Sequence, residues 1–157
     1  MHITIQKGIT DLQKASVLKL WNEEYPQKLQ YASIAEFDKY LDGLEDKTHF
    51  LLREEEEIIG WAATFKRDEQ RWFAILISLF VQGKGYGKKL LNALKEHETH
   101  LLGWVIDHNK DSKANGMPYC SPLTFYEKNG FVIQPEIRFE SEKMSALRIE
   151  WKKISSL

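Results

Sequence analysis

With 157 residues, 43% of them hydrophobic and 12% aromatic, the chain is long enough for one domain with a sizeable core and is not composed like a disordered segment. Its net charge of −1 argues against nucleic acid or an anionic membrane as a general partner, and its single cysteine, Cys120, excludes an intrachain disulfide framework. The start MHITIQKGIT lacks the pattern of a signal peptide, and the longest apolar run, Phe73 to Val81 broken by Ser78, is too short to span a bilayer, so a cytoplasmic protein is expected.

His2 to Lys7 alternates and reads as a strand. Thr10-Asp11 marks a helix start, followed by Val17, Leu18, Trp21 and Tyr25 at helical spacing. Ser33 with Glu36 three residues on is a capping-box pattern for a second helix, whose stripe is Ile34, Phe37, Leu41 and Leu44, ending near Gly43. Three strands follow, His49 to Arg53, Ile58 to Lys66 and Arg71 to Val81. They are separated by the exposed acidic turn Glu54 to Glu57 and by the turn RDEQ, an antiparallel meander in which Asp68 and Glu69 are solvated.

The third strand runs into Gln82-Gly83-Lys84-Gly85-Tyr86-Gly87 and then a helix with Tyr86, Leu90, Leu94, His97 and Leu101 on one side. Glycine-rich backbone before a helix N-terminus makes an anion site, and the four lysines between Lys84 and Lys95 add to its field. The Walker A and dinucleotide fingerprints do not fit. Gly83 and Gly87 enclose only three residues with Lys89 where Ser or Thr belongs, and the position of the third fingerprint glycine is Lys88. Trp104 to Asp107 reads as a short buried strand and His108 to Cys120 as a polar loop. Ser121-Pro122 predicts a helix with serine as N-cap and proline at its first position, stopped by Asn129-Gly130. Phe131 to Phe139 and Met144 to Lys153 read as two closing strands. The order β-α-α-β-β-β-α-β-α-β-β predicts a mixed, mostly antiparallel sheet with helices packed on it, in one domain over residues 1–157.

Gln82, Gly85 and Gly87 fill the pattern [QR]-x-x-G-x-[GA], and SPLTFYEKNGF lies about forty residues downstream. Both segments, and the element order, resemble the GNAT superfamily of N-acetyltransferases. The resemblance implies acetyl-CoA as acyl donor, helices on both sheet faces, a splay between the fourth and fifth strands, and direct attack by a primary amine of a small molecule or protein in a ternary complex. It also implies that the backbone of Ile77, Ser78 and Leu79 pairs with the pantetheine arm. The amides of Gln82, Gly83, Lys84, Gly85, Tyr86, Gly87 and Lys88 would wrap the diphosphate, with the bare backbone at Gly85 and Gly87 admitting phosphate oxygens. A backbone N–H near Leu79 would bond the developing oxyanion, and Tyr126 would protonate the leaving thiolate.

An alkyl amine is only about one part in a thousand neutral at pH 7, a penalty of roughly 4 kcal/mol, so a base is useful. Asp107 and His108, at the end of the strand facing the splay, are the candidates, with His49 a weaker one. The acceptor is expected between the region 11–44 and the loop 107–120. Trp21, Tyr25, Tyr31 and Trp61 serve equally as pocket lining or as core. One departure is Tyr119, where the superfamily commonly has an asparagine that contacts pantetheine. Cys120 is expected as a small buried filler. No metal, nucleic acid or membrane is expected, and the partners admitted are the amine acceptor and a second copy in a homodimer. The alternative to an enzyme is a non-catalytic CoA-binding or regulatory module on the same fold.

Overall fold

The computed structural model describes residues 1–78 and 82–154. Its elements run β1 (His2–Gln6), α1 (Asp11–Glu24), a 3-10 turn (Gln27–Leu29), α2 (Ile34–Asp42), β2 (Glu45–Glu54), β3 (Glu57–Arg67), β4 (Gln70–Ile77), α3 (Tyr86–His97), β5 (His100–Ile106), α4 (Leu123–Lys128), β6 (Val132–Glu140) and β7 (Ser145–Lys152). The seven strands form one sheet in the order β1-β2-β3-β4-β5-β7-β6, antiparallel except for the pair β4–β5. None of the helices described is long and apolar enough to cross a membrane.

Local chemistry accounts for most boundaries. Thr10 caps α1 by accepting from the Gln13 amide, while the Gln13 side chain accepts from the Thr10 amide. Ser33 caps α2, and the Glu36 carboxylate reaches one residue further back, to the Ala32 amide. The β3–β4 hairpin turns on Asp68 and Glu69, both at positive φ, which gives the turn the twist that its flanking strands need. Gly130, φ +89°, ends α4 as the left-handed residue after the cap.

The two sheet faces carry different layers. Leu90, Leu91 and Leu94 of α3 and Tyr126 of α4 pack with Phe50, Leu52, Phe73 and Val105 on one face. On the other, Val17, Leu20 and Trp21 of α1 and Phe37 and Leu41 of α2 pack with Leu51, Trp61, Trp72 and Leu102. Ile34, assigned to the α2 stripe from sequence, is instead exposed at the first residue of the helix.

Other sequence expectations are corrected. β5 begins at His100, so Leu101 is a buried strand residue and not part of the α3 stripe. The helix is stopped by a distant contact: Glu98, its C-cap, takes a two-pronged bond from Arg71 of β4 at 2.9 and 3.1 Å. α4 starts at Leu123 with Pro122 as its cap position. The Ser121 hydroxyl donates to the Ile106 carbonyl and accepts from the Leu123 amide, tying the helix start to the end of β5. Cys120 is exposed rather than buried, since the tether that positions Ser121 leaves its neighbour facing outward.

Candidate active site

β4 and β5 are joined by a single ladder pair, Trp72↔Leu102, near their amino-terminal ends, and beyond it they diverge. Bulky side chains fill the fork. On one face the Phe73 ring lies across Gly103, where a Cβ would come within 2.6 Å of it. On the other, Trp72 and Trp104 pack 5.2 Å apart. Backbone pairing therefore gives way to ring packing where the strands part, leaving the later edge of β4 turned toward a cleft.

The cleft's edges match chain polarity. The Ser78 amide donates to the Ile59 carbonyl on β3 at 2.8 Å, so the Ile77 carbonyl of the same peptide points the other way, toward the cleft. The Gln82 side-chain amide donates to that carbonyl at 3.0 Å. Leu79, named from sequence for pantetheine pairing and the oxyanion, lies outside the described residues.

The turn after β4 is open and left-handed at two positions. Gly83 has φ +83° and Gly85 φ +81°, with nothing within 4 Å of a Cβ built on either. Here glycine is needed for the backbone conformation itself. Gly85 is the N-cap of α3, no side chain caps the helix, and its first turn holds no acid. The amides of Tyr86, Gly87 and Lys88 belong to that first turn, where intrahelical partners are missing, and the exposed Lys84 and Lys88 stand beside it. At Gly87 a Cβ would meet Phe125 at 3.4 Å and Ile77 at 3.9 Å, ordinary contact distances. The start of α3 thus lies against α4 and the end of β4.

Tyr126 is buried against Phe73, Phe125 and Phe131 at centroid distances of 5.7, 5.3 and 5.5 Å. Burial holds its phenol well above the ordinary tyrosine range, and neighbouring Tyr25 and Tyr119 push in the same direction. It stands beside Phe73, the ring that crosses Gly103 where the two strands part.

The two base candidates each have partners within the protein. Asp107 accepts two bonds from the Arg138 guanidinium of β6, at 2.8 and 3.1 Å, and this pairing holds its carboxyl below the usual range. His108 Nδ1 accepts from the Lys110 amide at 3.1 Å, while Nε2 faces Asp111 Oδ2 at 3.9 Å. His49 is far from solvent: Trp61 Nε1 donates to its Nδ1 at 3.0 Å, and burial, with help from Lys47 and Lys14, lowers its pKa to about 4.

The loop 107–120 is folded down onto the end of α1. Lys113 and Glu24, both buried, pair at 2.8 Å. Lys28 pairs with Asp111 at 2.8 Å, and the Gln27 amide donates to the Ser112 carbonyl. Tyr25 and Tyr119 thereby come within 6.4 Å across the junction. Sequence reasoning missed Glu24, Asp111 and Lys113. Glu24 and Lys113 lie 89 positions apart, and neither sits in a local pattern that marks it.

Solved structures share this architecture. An aminoglycoside 6'-N-acetyltransferase complexed with coenzyme A superposes with a TM-score of 0.74 at 12% identity, covering 100% of this chain and 99% of the other. The aminoglycoside 6'-N-acetyltransferase from Enterococcus faecium gives 0.72 at 12% identity over 100% and 99%. A GNAT superfamily phosphinothricin acetyltransferase from Sinorhizobium meliloti, in complex with AcCoA, gives 0.68 at 16% identity over 98% and 89%. At these identities the likeness is one of fold. No curated protein sequence matches the chain. The family model described as "Acetyltransferase (GNAT) domain" matches residues 45–133, more than half of the chain and the whole span from β2 through the glycine turn to α4, and the chain therefore belongs to the GNAT acetyltransferase family.

Proposed function

We propose that this protein moves an acetyl group from acetyl-CoA directly to a primary amine held in the same complex. The observation that carries the proposal is the β4–β5 fork with an uncapped helix N-terminus and a left-handed glycine turn at its mouth. Pantetheine pairs with the backbone at Ile77, at the end of β4, and onward at Ser78 and Leu79, displacing the Gln82 side chain from the Ile77 carbonyl. The diphosphate takes the amides of Gln82 to Lys88, where the helix end and the lysines favour its charge. As the resemblance implies, the Leu79 amide would bond the developing oxyanion and Tyr126 would protonate the leaving sulfur. The amine arrives from the α1–α2 side, between α1 and the loop 107–120, because CoA fills the other side. Asp107, whose carboxylate keeps lone pairs beyond those that Arg138 takes, and His108 stand at the start of that loop as the candidate bases for the amine.

The aminoglycoside and phosphinothricin enzymes that share the fold suggest where to look for the acceptor. Thiol release from acetyl-CoA is measured with an aminoglycoside, phosphinothricin, a polyamine and a lysine-containing peptide, alongside calorimetry with CoA. The expected result is CoA binding and amine-dependent thiol release with at least one of them. CoA binding without acetyl transfer to any amine is the outcome that favours a non-catalytic CoA-binding module. Absence of CoA binding overturns the assignment of the cleft.

A further inference from the structure

The layer formed by α1 and α2 is narrower than the sheet it covers. Among the described residues, its buried core draws on β2, β3, β4 and β5, from Leu51 and Trp61 to Trp72 and Leu102, and on none of β6 or β7. The strand register sets out that face beyond β5: Glu150 and Val132 share one rung, Arg148 and Gln134 the next, Ala146 and Phe139 the third. Val132 is 63% exposed and Phe139 41%, with the Phe139 ring 5.7 Å from Trp104 of β5. The polar side chains between them are already fixed. Arg148 Nε donates to Gln134 Oε1 at 2.6 Å, Gln134 Nε2 donates to Glu150 Oε1 at 3.0 Å, and Glu150 Oε2 pairs with His100 Nε2 at 2.6 Å. Side chains held in this way lose little further freedom when a partner covers them.

We propose that two copies of the chain associate through this face, sheet against sheet, about a two-fold axis. The proposal stands apart from the acetyl-transfer reading. Charge selects the occupant. Arg148 and Glu150 stand two positions apart on β7, on one face and with opposite sign. A two-fold axis lying between the two sheets and crossing β7 at the level of Ile149 reverses the strand. It therefore sets Arg148 of each copy against Glu150 of the other, twice over. Among the described hydrogen bonds Arg148 uses only Nε, which leaves its terminal guanidinium nitrogens for that carboxylate. Each Glu150 oxygen takes one partner and keeps a second lone pair. A partner carrying one sign of charge would meet one of these two residues as a like charge. A second copy of the same face satisfies both.

The edge of the sheet favours the same arrangement. β6 is the last strand, but its pairing with β7 shifts between Gln134 and Arg138. Pro135, which has no amide hydrogen to donate, falls in that gap. Addition of a further strand to this edge is thereby interrupted, so a second chain comes onto the face and not alongside it. There it covers Val132 and Phe139, the exposed apolar side chains that flank the charged pair. α3, whose amino terminus forms the proposed diphosphate site, packs on the opposite face of the sheet, so association leaves that site open.

Sedimentation of the full chain in an analytical ultracentrifuge, over a wide range of concentrations, reads the association. A reversible equilibrium between monomer and dimer is expected. Phe139→Ser and Val132→Ser truncate exposed side chains and should each raise the dissociation constant at least about threefold. Arg148→Glu and Glu150→Arg each bring like charges together across the axis, and each variant alone should be monomeric. Mixed in equal amounts the two should form a heterodimer, because each then offers a single sign of charge, opposite to the other's. Circular dichroism checks that every variant folds, and if the charge variants do not fold, Phe139→Ser and Val132→Ser decide. A chain that stays monomeric at every concentration overturns the proposal. So does a dimer that the folded variants leave intact, or a failure of the two folded charge variants to associate when mixed.

Discussion

Tyr126 is kept protonated by its surroundings, and that fits one task and forbids another. A buried phenol can donate to a developing thiolate but cannot serve as a resting base at neutral pH. Tyr126→Phe keeps the ring contacts with Phe73, Phe125 and Phe131, so acetyl-CoA affinity should hold while kcat falls by about 10²–10⁴-fold. Steady-state kinetics with calorimetry separates the two, and an equal loss in both would make Tyr126 a binding residue. His49 supplies a prediction about stability. Its folded pKa, about 4, lies below the ordinary value of 6.5, so the unfolded chain binds more protons between those values. Stability is full above about pH 6.5 and is lost as pH falls toward 4, by at most about 3 kcal/mol from this group. Urea unfolding at pH 7 and pH 4.5 measures the loss, and His49→Gln, which keeps an acceptor for Trp61, should flatten that part of the slope.

At the scale of elements, the glycine turn and α3 show how much local sequence carries. The resemblance of Gln82, Gly85 and Gly87 to a diphosphate loop placed the turn correctly, and the left-handed backbone at Gly83 and Gly85 explains two of its glycines. It did not reveal that Gly87 faces Phe125, because that contact comes from a helix nearly forty residues later. The consequence is testable. Gly87→Ala brings a methyl into ordinary contact with Phe125 and should fold normally. Gly85→Ala must hold a left-handed backbone at a cost of about 1–2 kcal/mol, and calorimetry should show CoA binding weakened more than in Gly87→Ala. Equal affinities in the two variants would mean that the turn's shape does not set the diphosphate site. The end of α3 was illegible for a similar reason. Leu90, Leu94, His97 and Leu101 continue one helical spacing, and only the Arg71–Glu98 pair, across 27 positions, shows that the chain has already turned into β5.

Across the whole molecule, the acceptor side depends on two segments that meet only after folding. The alternation of β2, β3 and β4 and the caps of α1 and α2 were readable because each lies within a few residues of its cause. The docking of the loop 107–120 onto α1 was not, because it rests on Lys113 and Glu24, whose side chains are only 11% and 8% exposed. Both charges sit at the carboxyl-terminal end of α1, where the helix dipole opposes the carboxylate and makes the lysine more necessary. Lys113→Met leaves Glu24 buried without that cation and should cost about 3–5 kcal/mol, as breaking one side of a buried pair generally does. Glu24→Gln/Lys113→Met removes both charges and should recover most of the loss. The pair also holds Tyr119 against Tyr25, so Lys113→Met should raise the KM for the amine several-fold while leaving that for acetyl-CoA unchanged, because the diphosphate turn lies at the other side of the fork. Unfolding in urea, limited proteolysis within 107–120 and the two KM values test this together. A Lys113→Met protein with wild-type stability and an uncut loop would mean that the backbone bonds from Gln27 and to Ser112 hold the loop without the ion pair.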